Sequence, residues 1–438
     1  MLIFTPNPLS HLRLHKQRGA VLMVMLVILI IGATAMLVSS LNSVTPQLAR
    51  DKNSSDALAQ AKEALIGYAI TYSDTHTNVN GFLPCPDQGQ NITQDGTANS
   101  SCAVTDISAI GKLPWKSLGL PPLRDGSGEC LWYAVSGTYK NSPDTDLMNW
   151  DNNGLFQIMA TDGVSFLAGS SADNQPVAVI FAPGPPMGAQ SRTPATNAPS
   201  CGGNYTASNY MDNDTIHGIN NATVSATANA VTQFISGSVK DTSGNEIVND
   251  RLLIITRDEL FNAIKKRNDF GSTFIPQLFT KATNCLSTAS TTTTTTPTLP
   301  NPVTIDFSTM SESSGALTPM GMNQLKTGRI TSQFKSPIPA SCNDIFLSKW
   351  RDNLAYATCS SGGQCFSVNG SPCRGIVIFS GERNAAQNRS TNTQKNTWSN
   401  YLEGSALNIV TSGATPVTGV PTTYNPASPS SDVWTCIP

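Results

Sequence analysis

From Gly19 to Ala49 the chain carries no charged side chain, and Ala20 to Val38 (AVLMVMLVILIIGATAMLV) is almost wholly apolar. In lipid a run of about this length satisfies its backbone groups as a helix, and it is long enough to span a bilayer. Arg13, Lys16 and Arg18 stand just before it, with no acidic residue among them. The positive-inside bias therefore keeps the N-terminus cytoplasmic and places everything after about residue 42 outside.

Three readings of this segment compete. A secretory signal would be cut after the apolar stretch, near Val38-Ser39-Ser40, and a plain signal anchor would not be cut at all. The third reading starts from Lys16-Gln17-Arg18-Gly19, set directly against the apolar run. That junction resembles the type IV prepilin signal, which implies cleavage by a prepilin peptidase after Gly19 and an N-methylated mature start at Ala20. The resemblance also implies a partner set of other pilin or pseudopilin subunits, prepilin peptidase and inner-membrane lipid. At the fifth mature position, where major pilins have Glu, this chain has Val24. It offers no carboxylate there for a neighbouring subunit's amine. This departure resembles minor pilins and the tip pseudopilin of type II secretion.

Beyond Pro46, residues Ala57, Ala61, Ala64, Leu65 and Tyr68 recur at i, i+4, i+7, i+8 and i+11, the stripe of an amphipathic helix. After Asp74 the pattern breaks into short apolar stretches punctuated by Pro and Gly. The runs Gly81-Phe-Leu-Pro-Cys-Pro-Asp87, Gly111-Lys-Leu-Pro-Trp115 and Glu129-Cys-Leu-Trp-Tyr-Ala-Val135 resemble those following the helix in prepilin-like proteins of Gram-negative bacteria.

Only 13% of residues are charged and the net charge is -2, so bulk attraction to nucleic acid is excluded as a driving force. Scarce Lys and Glu beside abundant Gly, Pro, Ser, Thr and Asn favour turns and short strands. The ten cysteines, Cys85, Cys102, Cys130, Cys201, Cys285, Cys342, Cys359, Cys365, Cys373 and Cys436, all follow the apolar segment, which suggests disulfides in an oxidising compartment. Cys85 with Cys102, and one pair among Cys359, Cys365 and Cys373, close the shortest loops.

The expected fold class is α+β: a long N-terminal transmembrane and amphipathic helix packed on a large, β-rich, disulfide-braced exported head with two related units. The expected boundaries are a leader at 1–19, the helix at 20–74, a first globular unit at 75–286, a Ser/Thr-rich linker at 287–300 and a second, Cys-rich unit at 301–438. Within the head, Pro176 to Ala182 and Arg251 to Ile255 read as strands. Thr256 with Glu259 forms a capping box that opens a helix over Asp258 to Arg267.

An internal echo carries the idea of two units. Val179-Ile-Phe, Gln190-Ser-Arg192 and Ser208-Asn-Tyr-Met-Asp212 recur in order as Val377-Ile-Phe, Gln387-Asn-Arg389 and Ser399-Asn-Tyr-Leu-Glu403, and Leu131-Trp-Tyr-Ala134 recurs as Leu354-Ala-Tyr-Ala357. Arg192 with Asp212, and Arg389 with Glu403, are then expected in equivalent places.

No convincing catalytic constellation emerges. There is no Gly-x-Ser-x-Gly, and Ser332-Gln-Phe-Lys335 follows Lys326-Thr-Gly328, the reverse of the penicillin-binding order. No metal ligand set is assigned: Asp212, Asp214 and His217 read as turn residues. Structural calcium is an open alternative on the oxygen-rich loops holding Asp87 and Asp95, or Asp144, Asp146 and Asp151, although neither has EF-hand spacing. The expected role is a non-enzymatic minor pilin or pseudopilin, at a filament tip or in initiation. The chain would be a single-pass inner-membrane protein with a periplasmic head, extracellular once assembled. The alternatives are a membrane-anchored surface adhesin or binding protein and, behind it, a periplasmic hydrolase.

Overall fold

A computed structural model describes residues 18–76, 79–90, 95–193, 200–201, 203–267, 269–288, 299–313, 319–321, 324–330, 345–413 and 418–438, with the side chains of 18–45, 345 and 346 outside the description. It is a mixed α+β chain with several small sheets and with disulfides. Contacts divide it into Met1–Asn53 and Ser54–Pro438.

Helix α1 spans Arg18–Thr75 and continues through Pro46. Among the described residues no helix is long and apolar enough to cross a membrane, and the side chains of the Ala20 to Val38 run lie outside that description. From Ser54 onward α1 packs into the main core through Ala57, Leu58, Ala61, Leu65, Ala69 and Tyr72, while Ala64 and Tyr68 of the expected stripe are half-buried. The opposite side, with Gln60 and Glu63, is exposed.

Two antiparallel four-stranded sheets organise the rest. The first contains β1 (Ala109–Lys112), β2 (Trp132–Val135), β3 (Ala178–Ala182) and β4 (Arg251–Ile255), side by side in that order. The second contains β5 (Leu325–Arg329), β6 (Leu354–Cys359), β7 (Gly375–Phe379) and β8 (Val433–Ile437), again in chain order. Every residue of the central strands β3 and β7 is buried, which explains why they read as unbroken apolar runs rather than alternating ones.

The inner faces of both sheets, carrying Tyr133, Ile180 and Ile255 from one and Tyr356, Val377 and Ile437 from the other, share one core with α1, α2 (Arg257–Lys265) and α3 (Ile275–Thr288). α3 contributes Ile275, Leu278, Phe279, Ala282 and Leu286 and lies against β7 and β8. Full burial of each Ile, Leu or Phe side chain among these contributes about 1.5–3 kcal/mol. The outer faces have separate covers. Phe156, Ile158 and Phe234 of a three-stranded sheet cover Trp132, Val179 and Phe181. Helix α4 (Gly404–Ser412) covers Ala355, Ile376 and Ile378 through Ala406, Ile409 and Val410.

The capping box at α2 forms as expected, with Glu259 N donating to Thr256 Oγ1 at 3.2 Å and Thr256 N to Glu259 Oε2 at 3.0 Å. Ser287 and Thr288, placed in the linker by sequence, are the last residues of α3, and 289–298 lie outside the described residues.

The internal echo corresponds to equivalent structure, with one correction. Tyr133 pairs with Ile180 and Tyr356 with Val377, so Ile180 matches Val377, and Ala182 matches Phe379. The apparent repeat of Val179-Ile-Phe as Val377-Ile-Phe is therefore one residue out of register. Val179 faces the outer core whereas Val377 faces the shared one. A one-residue slip reverses the face of every side chain, and an apolar run carries nothing to mark it.

A further correspondence precedes the strands. Leu83-Pro-Cys-Pro-Asp87 and Leu299-Pro-Asn-Pro-Val303 each follow a helix and bridge the end of the first strand: Asp87 to Lys112, Val303 to Arg329. Gly111 and Gly328 permit that approach, since a Cβ would sit 2.6 Å from Asp87 O in one half and 2.7 Å from Val303 O in the other.

Candidate functional site

The loop between the third and fourth strand of each half holds a buried arginine, and the two arginines are bonded alike. Arg192 donates from Nε to Asn209 O (2.9 Å), from Nη1 to Gly184 O (2.8 Å) and from Nη2 to Gln190 Oε1 (2.8 Å). Arg389 donates from Nε to Asn400 O (2.5 Å), from Nη1 to Gly381 O (3.0 Å) and from Nη2 to Gln387 Oε1 (3.0 Å). Each guanidinium also lies over a tyrosine, Tyr210 at 5.0 Å and Tyr401 at 4.4 Å from the ring centre. The planar fork of Arg suits such simultaneous bonding to fixed carbonyls.

Arg192 and Asp212, and likewise Arg389 and Glu403, which the echo puts in equivalent places, are linked in each half through the glutamine. Gln190 Nε2 donates to Asp212 Oδ1 (2.9 Å), and Gln387 Nε2 to Glu403 Oε1 (2.5 Å). Each acid then meets a second carboxyl that sequence reading missed. Asp212 N donates to Asp250 Oδ2 (2.8 Å), while Asp250 N donates to Asp212 Oδ2 (3.1 Å). Glu403 N likewise donates to Asp432 Oδ2 (3.0 Å). Asp250 and Asp432 stand immediately before β4 and β8, the one signal that could have found them.

Burial raises the proton affinity of all four carboxyls. Asp250, fully enclosed and beside Asp212, is pushed well above the carboxylate range, and Asp432 is pushed up to about 8. Asp212 and Glu403 are raised as well, again by burial first. Asp250 Oδ1 and Asp432 Oδ1 are both buried without a hydrogen-bond partner. In each pair burial and the neighbouring carboxyl both favour the protonated form.

The halves differ in what neutralises the arginine. Arg192 Nη1 lies 3.2 Å from Glu129, whose side chain is partly open. Arg389 Nη1 instead lies 2.9 Å from Asp151, supplied by the first half. The first strands end alike: Lys112 lies 5.3 Å from the Tyr210 ring centre and Arg329 lies 4.4 Å from that of Tyr401. Burial lowers Lys112 and brings Arg329 down to about 10.

The remaining sequence candidates scatter. Asp214 Oδ2 accepts from His217 Nδ1 at 2.5 Å, away from the Asp212 pair. Asp144 is held by Lys349 (2.5 Å) and Asp151 by Arg389, so these two are occupied by cations of the chain itself. Asp87 and Asp95 converge on Tyr205 Oη at 3.3 and 2.9 Å. Among the described residues no group of three or more His, Cys, Asp or Glu is placed to hold a metal. Gly19, Ala20 and Val24 fall in α1 with their side chains outside the description, and Ser332 to Lys335 lie outside it altogether.

Disulfides join Cys85 to Cys102, Cys130 to Cys201, Cys359 to Cys365 and Cys373 to Cys436. Cys285 is also disulfide-bonded, and Cys342 lies outside the described residues.

What this chemistry can do is hold loops. Every guanidinium nitrogen of Arg192 and Arg389 is engaged, so the clusters act as braces. Comparison with family models, curated proteins and solved structures gives no match for this chain.

Proposed function

We propose that this chain is a minor pilin or pseudopilin, a structural subunit of a type IV pilus or type II secretion filament, with a place at the tip or in initiation. The observation that carries the reading is α1: one helix contains the apolar run directly after Gly19 and later the stripe that packs into the head. Such a helix can join a bundle of like helices through its first part while its second part fixes the folded domain. The first part would be the membrane anchor before assembly, with the head periplasmic. Val24 in place of Glu suits a subunit that need not neutralise a neighbour's amine inside an apolar filament.

N-terminal sequencing of the protein from cells with and without prepilin peptidase tests this. A peptidase-dependent start at Ala20 is expected; a start near residue 41, or an uncut leader in both strains, overturns it.

A surface-binding role for the head is a compatible second reading. It is favoured by the exposed apolar side chains Val164, Phe166, Leu167 and Ile216, all on the outer elaboration of the first half. Binding to surfaces that persists in a head variant with these four changed to Ser would count against it.

A further inference from the structure

Thr327 lies in the middle of β5, the edge strand of the second sheet. Two residues to either side, the backbone bonds outward: Leu325 exchanges hydrogen bonds with Met320, both 2.8 Å, and Arg329 with Val303, at 2.8 and 3.0 Å. Peptide groups two residues apart on a strand face the same way. The N–H and C=O of Thr327 therefore also face outward, in the gap between those bridges. Among the described residues no bridge covers them. They border a cavity of about 320 Å³ whose walls include Val303, Ile305, Met320 and Trp398. Thr327 is only 7% exposed, so among the described residues its peptide groups are unpaired in a largely enclosed place.

In the first half a side chain caps the carbonyl at the same position. Ile110 is the counterpart of Thr327, because Ile110 pairs with Ala134 as Thr327 pairs with Ala357. Its carbonyl accepts from Gln88 Nε2 at 3.0 Å, and Gln88 Oε1 is held by Asn99 Nδ2 at 3.0 Å. Gln88 follows Asp87 as Thr304 follows Val303. Thr304 lines the cavity, and it has no carboxamide to place there.

We propose that the cavity beside Thr327 binds a carboxamide, the Gln or Asn side chain of an extended segment of a partner protein. A carboxamide offers a donor and an acceptor side by side, which is what a peptide C=O and N–H require. The apolar walls suit the methylene stem that carries it. Because Leu325 and Arg329 are already bonded outward, a side chain entering end-on fits the gap better than an added strand.

Saturation-transfer NMR on the full chain in detergent micelles tests this with two probes at millimolar concentration, Ac-Thr-Gln-Thr-NHMe and Ac-Thr-Glu-Thr-NHMe. Transfer to the Gln side-chain methylenes should exceed that to Glu by about ten-fold, as expected when a buried polar group is left unpaired. Thr304→Gln, which rebuilds the internal cap, should abolish transfer without lowering the melting temperature. If that variant melts lower, Met320→Trp serves instead by filling the cavity. No transfer to the wild type, equal transfer to both peptides, or undiminished transfer in the variant overturns the proposal. Transfer to free propionamide equal to that of the Gln peptide would assign the site to small amides and overturn the peptide assignment.

Discussion

Arg389 Nη1 lies 2.9 Å from Asp151 Oδ2, with 1% and 0% of the two side chains exposed, and the residues come from different halves of the head. Replacing Asp151 with Ala leaves the guanidinium charge buried and uncompensated. A loss of about 3–5 kcal/mol is expected in chemical denaturation. Glu129→Ala removes the corresponding partner of Arg192 at a partly open position, and should cost about 1 kcal/mol or less. Equal costs would mean that the ion pair between halves is not specially important.

The carboxyl pairs make stability depend on pH. Asp432 binds its proton up to about pH 8 in the folded chain, whereas unfolded Asp releases it near pH 3.9. The unfolded state therefore holds fewer protons between those values, and stability declines as pH rises through that window. The raised Asp250 acts in the same direction. Arg389 and Gln387 at one pair, and Arg192, Gln190 and Asn221 at the other, soften the effect without reversing it. Melting temperatures should fall from about pH 5 to pH 9, and Asp432→Asn, which mimics the protonated acid, should flatten the slope. A flat wild-type profile would contradict this.

Gly111→Ala and Gly328→Ala should each destabilise by about 1–3 kcal/mol, because the new methyl meets a backbone carbonyl rather than a movable side chain. Gly119, with open space around it, has no such contact. Its left-handed backbone makes Gly119→Asn the milder control. Thermal melts of the three variants rank the effects.

The Cys373–Cys436 bridge joins residues 63 apart, and Cys359–Cys365 joins residues 6 apart. Double replacement with Ser should cost about 4 kcal/mol for the longer loop and about 2 for the shorter, as the lost restraint on the unfolded chain dictates. Urea midpoints of the two variants test the ordering.

Much of this architecture is legible in the residues, and the failures are instructive. β4 and its capping box are readable because Arg251 to Ile255 is a short apolar run ending at a Thr whose bond to Glu259 is local. The polar echo of Gln190 and Arg192 in Gln387 and Arg389 keeps its register because each side chain has its own fixed partners. The apolar echo slips because Val, Ile and Phe are interchangeable on a strand buried on both faces. Asp250 and Asp432 were hidden by distance along the chain, and the paired Leu-Pro-x-Pro segments by having only two prolines and a leucine in common. The Thr327 cavity could not be read at all, since it consists of a residue that the second half lacks.

The core that α1 shares with both sheets has a mechanical consequence. Leu65 and Ala69 are wholly buried in the one cluster that also holds side chains of both sheets. A pull along the helix cannot peel it from one sheet and leave the other intact. The head should resist such a load as one body until it yields abruptly, with no partly opened form in which one half carries the strain.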